Sequence, residues 1–368
     1  MKIHQHLLMD FLLYQKKGDE KMQRKKILVV LTGGTICSSV NAEGIRYSDA
    51  KNVEIISAFY RNFPEYCDKI EFDSATPLDI LSENMTIDSW NILLQFFRTE
   101  ANWNAYNGVI VLHGTDTLAY TSSLLSLALA GFEIPVCMVS AQLPLSFAET
   151  NGHDNFRAAV ELIMNGIAPN VYAVYRNSDG EMYLHYGATL LQCGNYSQDF
   201  FSRDAVIIDM DHPARAEGRA FETQELLLDR MLDLTPCVLQ MMPYVGLRYD
   251  GICLDGVRAI VHGTYHSQSV CVERKNGEGE YSASSVLHLL DRCNKLAIPV
   301  FLAPCSPRSY CYESTGDALR HGACSMNGMT SEMAYVKTLV GCALGLEGVL
   351  LREFLDSNVN FERRNDGV

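Results

Sequence analysis

The feature that most constrains this chain is a repeated design, an apolar run closed by a glycine turn and followed by a segment with helical spacing. "KKILVVLTGGT" (25–35) reads as a buried strand running into Gly33 and Gly34. "NGVIVLHGTDT" (107–117) repeats it, with a strand over Gly108–Leu112 and a turn over His113–Thr117. "TLAYTSSLLSLALAGF" then has helical spacing, with Gly131 as its stop signal. "IPVCMVSAQLP" is another strand ending in a loop, "NFRAAVELIMNG" another helix, and "NVYAVYR" the next strand. Strands alternating with helices predict a parallel sheet with crossover connections.

After Ile208 the character changes. "DMDHPARAEGRAFETQELLLDR" is polar and poor in strand formers, as a partly helical linker would be. Alternation resumes with "PCVLQMMPY", "VRAIVHGTY", "SSVLHLLDRCNKL" and "IPVFLAP", and "MTSEMAYVKTLVGCALGL" reads as a helix capped by Thr330. The expected organisation is two α/β domains at 22–208 and 234–368, joined by a linker at 209–233. Residues 1–21 are read as an extension outside the fold, or as an upstream start, since Met22 stands just before the first strand.

A chain of 368 residues, 48% hydrophobic and 20% charged, has the balance of a globular protein of about two domains. The net charge of −14 and a pI near 5.1 argue against nucleic-acid or anionic-membrane partners, which select for basic surfaces. The twelve cysteines form no CxxC pair, and several lie in apolar runs, so they read as reduced core residues. "HLLMDFLLY" is interrupted by Asp10 and lacks a small-residue cleavage site, so the expected location is the cytoplasm.

Ligands of open α/β sheets bind beyond the carboxyl ends of strands. Thr35 and the Thr115–Asp116 pair are predicted at such ends. Glycines there allow close backbone approach, and successive N–H groups can cradle a carboxylate. A threonine is a weak nucleophile unless a base takes its proton. A tight turn between strand and helix is the other reading of "LTGGT", and neither segment carries the lysine of a phosphate-binding loop.

"TGGTI" (32–36) followed by "HGTDT" (113–117) resembles the two signature motifs of the asparaginase/glutaminase family, closest to its cytoplasmic, type I branch. "LSENMTIDSW" (81–90) resembles the family's substrate loop. "VSAQLPL", "NGHDNFRAAV" and "STGDALRHGACSMNGMTSEMAYVKTL" extend the likeness over most of 25–345. The resemblance implies a two-domain α/β fold, with a larger, mostly parallel N-terminal sheet and a smaller C-terminal α/β domain. It implies L-asparagine hydrolysis to L-aspartate and ammonia, with Thr35 as nucleophile and Gly34 and Gly114 among the substrate-binding residues. Thr115 and Asp116 would be the second catalytic pair, Asp116 gripping the α-amino group. Ser82 would hold the α-carboxylate, Glu83 would face the amino group, and the main chain at Ala141 would receive the amide nitrogen. The ring of His113 would brace the turn. No metal or organic cofactor is implied, and a homodimer or homotetramer is.

The chain departs from the family pattern in several places. The family's relay lysine should fall within "GEMYLHYGATLLQCGNY" (180–196), which contains none, and the position after Thr189 is Leu190. Tyr47 is the candidate for a flexible-loop tyrosine, although Ile45 can take that place. "HGTYHSQS" (262–269) parallels a second-domain loop, with Gly263 for an arginine and His266 for a glycine. Cys305 reads as a buried structural thiol. His153 and His321 sit at predicted helix edges and read as solvated. Metal binding by His113, His262 and His266 lacks a supporting carboxylate pattern. The rival reading is a catalytically impaired amino-acid-binding or sensing protein on the same fold. An amide-transfer subunit for charged tRNA is disfavoured by the acidic chain.

Overall fold

The computed structural model describes residues 24–40, 43, 46–48, 54–100, 102–213, 218–221, 226–275, 280–305 and 311–363. The side chains at 39, 40, 46–48 and 275 are not described, and the expectation for residues 1–21 lies outside the described residues.

The first part of the chain runs β1 (Lys25–Leu31), β2 (Ser38–Val40), β3 (Arg46–Ser48), α1 (Glu54–Asn62), β4 (Ile70–Ala75), α2 (Ile87–Thr99), β5 (Gly108–Leu112), α3 (Leu118–Ala128), β6 (Val136–Val139), α4 (Gly152–Met164), β7 (Val171–Arg176), β8 (Met182–Tyr186) and β9 (Val206–Ile207). The second part runs β10 (Val238–Met241), β11 (Ala259–His262), β12 (Arg274–Lys275), β13 (Glu280–Tyr281), α5 (Val286–Lys295), β14 (Val300–Leu302), α6 (Glu313–Arg320), β15 (Cys324–Ser325), α7 (Ser331–Ala343) and α8 (Gly348–Asp356).

A seven-stranded sheet has the order β4-β1-β5-β6-β7-β8-β9, and a four-stranded sheet the order β10-β11-β14-β15. The first five strands of the large sheet are parallel, as the strand–helix alternation predicts. β8 and β9 add antiparallel pairings at one edge, which that alternation does not anticipate. All pairings of the small sheet are parallel.

The unbroken apolar runs follow from burial on both faces. Ile27, Val29 and Leu31 of β1 pack with Ile55 and Phe59 of α1 and Phe156 of α4 on one side of the large sheet. Leu28 and Val30 face the other way, into a core shared with α2, α3, α7 and the inner face of the small sheet. α5 covers the outer face of the small sheet. The sheets are therefore separated by a helical layer, and that layer explains why α3 and α7 are apolar nearly all round. Thr330 caps α7 as its position suggests, accepting the Met333 N–H at 3.1 Å. All twelve cysteines are free thiols.

The segment after α8 is tied down by a buried ion pair. Lys337 Nζ lies 2.6 Å from Glu362 Oε1, with both side chains fully buried. Lys337 also donates to the Ser357 carbonyl at 2.5 Å, and Glu362 accepts the N–H groups of Val359 and Asn360. Asn360 in turn bonds Asn170 and the Ser126 carbonyl of α3. Removing one partner of such a pair strands a buried charge, whereas replacing both by apolar groups does not. Lys337→Met is expected to lower unfolding free energy by about 3–5 kcal/mol in urea titrations, with a smaller loss in Lys337→Met/Glu362→Leu. A double variant as unstable as the single one would contradict the account.

Candidate active site

β1 and β5 are adjacent parallel strands with Leu31 opposite Leu112, so their carboxyl-end turns emerge side by side. Past β1, the Thr32 hydroxyl donates to the Leu112 carbonyl at 2.8 Å, holding the first turn against the second strand. Gly33 and Gly34 then take φ of 105° and 79°, a left-handed region that disfavours any other residue. The Gly34 N–H donates to the Ile80 carbonyl at 2.9 Å, and the Ile80 N–H to the Thr32 carbonyl at 3.1 Å. This bridge draws the 80–84 segment alongside.

The two turns touch through their glycines. A Cβ on Gly34 would sit 2.3 Å from the Gly114 Cα, and one on Gly114 would sit 2.3 Å from Ser82 Oγ. Ser82, buried at the start of a short turn over Ser82–Asn84, accepts the Asp116 N–H on its hydroxyl at 3.2 Å. Its carbonyl accepts the Thr117 hydroxyl at 3.0 Å. Thr35 and Thr115, each one residue past a touching glycine, are half-buried, and Asp116 is exposed. Among the described residues, nothing hydrogen-bonds the Thr35 hydroxyl, the Thr115 hydroxyl or the Asp116 carboxylate.

His113 is fully buried, with Nδ1 donating to the Gly114 carbonyl at 2.8 Å and Nε2 unpartnered. Burial pushes its pKa down to about 4, so the ring is neutral and holds the turn. His262 does the same past β11, with Nδ1 donating to the Gly263 carbonyl at 2.5 Å and Nε2 accepting the Tyr249 hydroxyl at 2.7 Å. Burial lowers His262 and the buried His185 to about 4 as well.

A cavity of about 500 Å³ opens beside the second turn, lined by Thr115, Asp116, Gln142, Tyr175, Gln192 and the 193–198 segment, together with Phe200. Thr35 and Ser82 are not among its lining residues.

The other sequence-named residues are spread around this centre. Ala141 is buried just past β6, where the next residue's N–H donates to Asn151 Oδ1 at 3.0 Å. Glu83 is exposed on the short turn. Tyr47 pairs with Ser39 in the β2–β3 hairpin that follows Thr35, and its side chain lies outside the described residues. Two expectations need correction. His153 and His321 are not simply solvated: their Nε2 atoms meet the Leu145 carbonyl at 3.3 Å and Asp291 at 2.7 Å. Leu190, the residue after Thr189, is fully buried in the core.

Of the 180–196 segment, residues 192–196 line the cavity, and Gln192 Nε2 donates to the Thr115 carbonyl at 3.3 Å. Among the described residues no cluster of three His, Cys, Asp or Glu is placed to hold a metal. No helix among them is long and apolar enough to cross a membrane.

A family model described as "Asparaginase, N-terminal" matches residues 26–206, the span that contains both touching turns. Residues 26–206, just under half of the chain, thus carry the asparaginase family's N-terminal domain. It is 33% identical over 147 residues to L-asparaginase 1 of Escherichia coli K12, covering 39% of this chain and 42% of that protein. It is 28% identical over 267 residues to a glutamyl-tRNA(Gln) amidotransferase subunit of Methanosphaera stadtmanae, covering 65% and 58%. The chain thus spans less than two thirds of the length of either relative. The thermostable L-asparaginase of Thermococcus kodakarensis superposes with a TM-score of 0.71 at 21% identity, covering 92% of this chain and 99% of that one. This likeness places the chain in the asparaginase fold.

Two expectations follow from the site. Gly114→Ala should displace Ser82 and lower stability by about 1–3 kcal/mol, because backbone and a buried side chain oppose the added methyl. Gly251→Ala, where the methyl meets open space, is the neutral control in thermal unfolding. The second concerns acid. His113, His185 and His262 have folded pKa values near 4, below the ordinary 6.5. Their contribution is fully present above pH 6.5 and is lost as pH falls towards 4, at up to about 1.4 kcal/mol per pH unit for each ring. Urea titrations across that window should show stability declining with acid. A flat profile from pH 6.5 to 4.5 would contradict the buried neutral rings.

Proposed function

We propose that this chain is an amidohydrolase that converts L-asparagine and water to L-aspartate and ammonia. The observation that carries the reading is the glycine contact, which sets two threonine-bearing turns side by side with their hydroxyls and the Asp116 carboxylate unengaged among the described residues. In this scheme the Asp116 carboxylate takes the substrate's α-ammonium. Ser82 and neighbouring N–H groups take the α-carboxylate, and Glu83 and the main chain at Ala141 complete the clamp. Thr35 Oγ attacks the side-chain amide carbon. The new C–O bond replaces the C–N bond, and ammonia leaves carrying the hydroxyl proton. Water then cleaves the ester to release aspartate and restore Thr35. Thr115 assists the proton movement, and Tyr47 closes over the nucleophile. No metal or organic cofactor takes part in this scheme. The protein acts in the cytoplasm as a homodimer or homotetramer.

The missing lysine favours a second reading, an amino-acid-binding protein with little turnover, since losing a general acid or base costs ~10²–10⁴-fold. The name of the M. stadtmanae relative makes glutamine the second amide to test. Ammonia release from L-asparagine and L-glutamine, measured for wild type, Thr35→Ala and Thr115→Val, separates the readings. Catalysis predicts release by wild type, ~10³-fold or more lost in Thr35→Ala and ~10²–10⁴-fold in Thr115→Val. Calorimetric asparagine binding without release in any variant supports the binding protein. Full activity in Thr35→Ala would exclude Thr35 as nucleophile.

A further inference from the structure

The cavity beside the second turn is larger than the release of ammonia requires. Ammonia is a water-sized leaving group, and a water takes about 30 Å³. The cavity holds about 500 Å³, a size that takes whole organic ligands. Thr115, Asp116 and Gln142 line it, whereas Thr35 and Ser82, assigned to the amide carbon and the α-carboxylate, do not. Gln142 follows Ala141, whose main chain is assigned to the amide nitrogen. On that assignment the free space lies on the leaving-nitrogen side of the scissile bond. Its outer wall is a braced turn that holds out an aromatic ring. The Ser197 N–H donates to the Gly194 carbonyl at 3.1 Å, and the Cys193 thiol donates to the Ser197 carbonyl at 3.1 Å. Asp199 anchors the base of the turn, accepting the Ser178 N–H and hydroxyl at 2.7 Å each. Tyr196 occupies the third position of the turn with a φ of 61°, a conformation that favours glycine or asparagine. Its side chain is fully exposed, so packing within the chain gives no reason for a tyrosine there. Behind it the cavity is lined by Tyr175 and Phe200, packed edge to face with ring centroids 4.9 Å apart. A ring held in solvent at a cavity rim, on a disfavoured backbone, points to a ligand as its partner.

We propose that L-asparagine is the smallest member of the substrate class, and that the chain prefers L-asparagines whose side-chain amide nitrogen carries a neutral, ring-bearing group seated in this cavity against Tyr196. This rests on the amidohydrolase reading and deepens it. Thr35 Oγ forms the ester to the side-chain carbonyl carbon and the C–N bond breaks. The leaving group departs as a primary amine, R–NH₂, carrying the hydroxyl proton, and water then cleaves the ester to give L-aspartate. An anionic substituent is disfavoured, because Asp116 is the one charged residue in the lining and no cation faces it. Bulk on the α-nitrogen is disfavoured too, since acylation there would remove the charge that Asp116 is assigned to hold.

The test is steady-state release of ammonia or amine by the full chain from L-asparagine, L-aspartate β-benzylamide and N-acetyl-L-asparagine. Benzylamine and ammonia are similar in basicity, so a rate difference between the first two reads the cavity rather than the leaving group. In wild type kcat/KM should be about tenfold or more higher for the benzylamide than for asparagine, the gain from burying one ring. N-acetyl-L-asparagine should be the poorest of the three. Tyr196→Gly removes the ring and suits the positive φ, so the thermal midpoint should hold or rise while the preference for the benzylamide falls about tenfold. Tyr196→Phe keeps the ring and should keep the preference. A benzylamide cleaved no faster than asparagine by wild type overturns the proposal. So does a preference that survives intact in Tyr196→Gly, or N-acetyl-L-asparagine cleaved faster than the benzylamide. Wild type that cleaves none of the three would end the amidohydrolase reading itself, a pattern distinct from any of those.

Discussion

The site depends on the contact between Gly34 and Gly114. Two parallel strands held at hydrogen-bonding distance deliver their turns side by side, but ordinary residues would hold the turn backbones apart. Here a methyl at either glycine would overlap heavy atoms at 2.3 Å, so the two turns pack backbone to backbone and against Ser82. Every other feature of the centre follows from that approach. The Asp116 N–H reaches the Ser82 hydroxyl, the Thr117 hydroxyl reaches the Ser82 carbonyl, and the threonine after each glycine comes to the same end of the sheet. The Thr32 hydroxyl on the Leu112 carbonyl and the Gly33–Ile80 bridge tie the same three segments together from behind. The groups are positioned by main chain on a rigid sheet, which keeps the hydroxyls in place without bonds of their own.

The electrostatics of the centre are sparse. The chain is strongly acidic, yet the cavity beside the second turn carries one carboxylate, Asp116, in a wall otherwise made of hydroxyl, amide, thiol, aromatic and backbone groups. His113, the nearest imidazole in sequence, is held neutral by burial with its Nδ1 proton spent on the Gly114 carbonyl. A single negative charge among neutral dipoles favours a ligand with one cationic group, and it selects by where that cation sits rather than by net charge.

The fold was largely legible in the sequence because its signals are local. Apolar runs such as Ile27–Leu31, glycines at strand ends and the Thr330 cap each act within a few residues, and the structure keeps them all. The Thr35 and Thr115 turns were legible for the same reason. What escaped was set by distance or by an irregular turn. The pairing of Lys337 with Glu362 joins a helix to a coil 25 residues later, and neither sequence neighbourhood suggests a buried charge. The antiparallel β8 and β9 sit where strand–helix alternation fails. Past the helical turn at Gly187–Thr189, Leu190 is buried in the core and Gln192 lines the cavity, a placement that depends on the packing of this irregular stretch.

That placement bears on how the site handles a proton. A threonine hydroxyl that attacks must lose its hydrogen, and among the groups around Thr115 the titratable ones are few. His113 Nε2 holds a lone pair, but it is sealed in the core, and a ring with a pKa near 4 is a weak base at neutral pH. Gln192 has no basicity, and its NH₂ is committed to the Thr115 carbonyl. Asp116 is exposed, and its main chain is pinned by Ser82. In the proposed hydrolysis the proton would therefore pass to the substrate's own leaving nitrogen, directly or through one water. That makes the rate depend on how accurately the amide is seated. On that proposal the burden of catalysis falls on the groups that would orient the substrate, the glycine contact, Ser82 and Asp116.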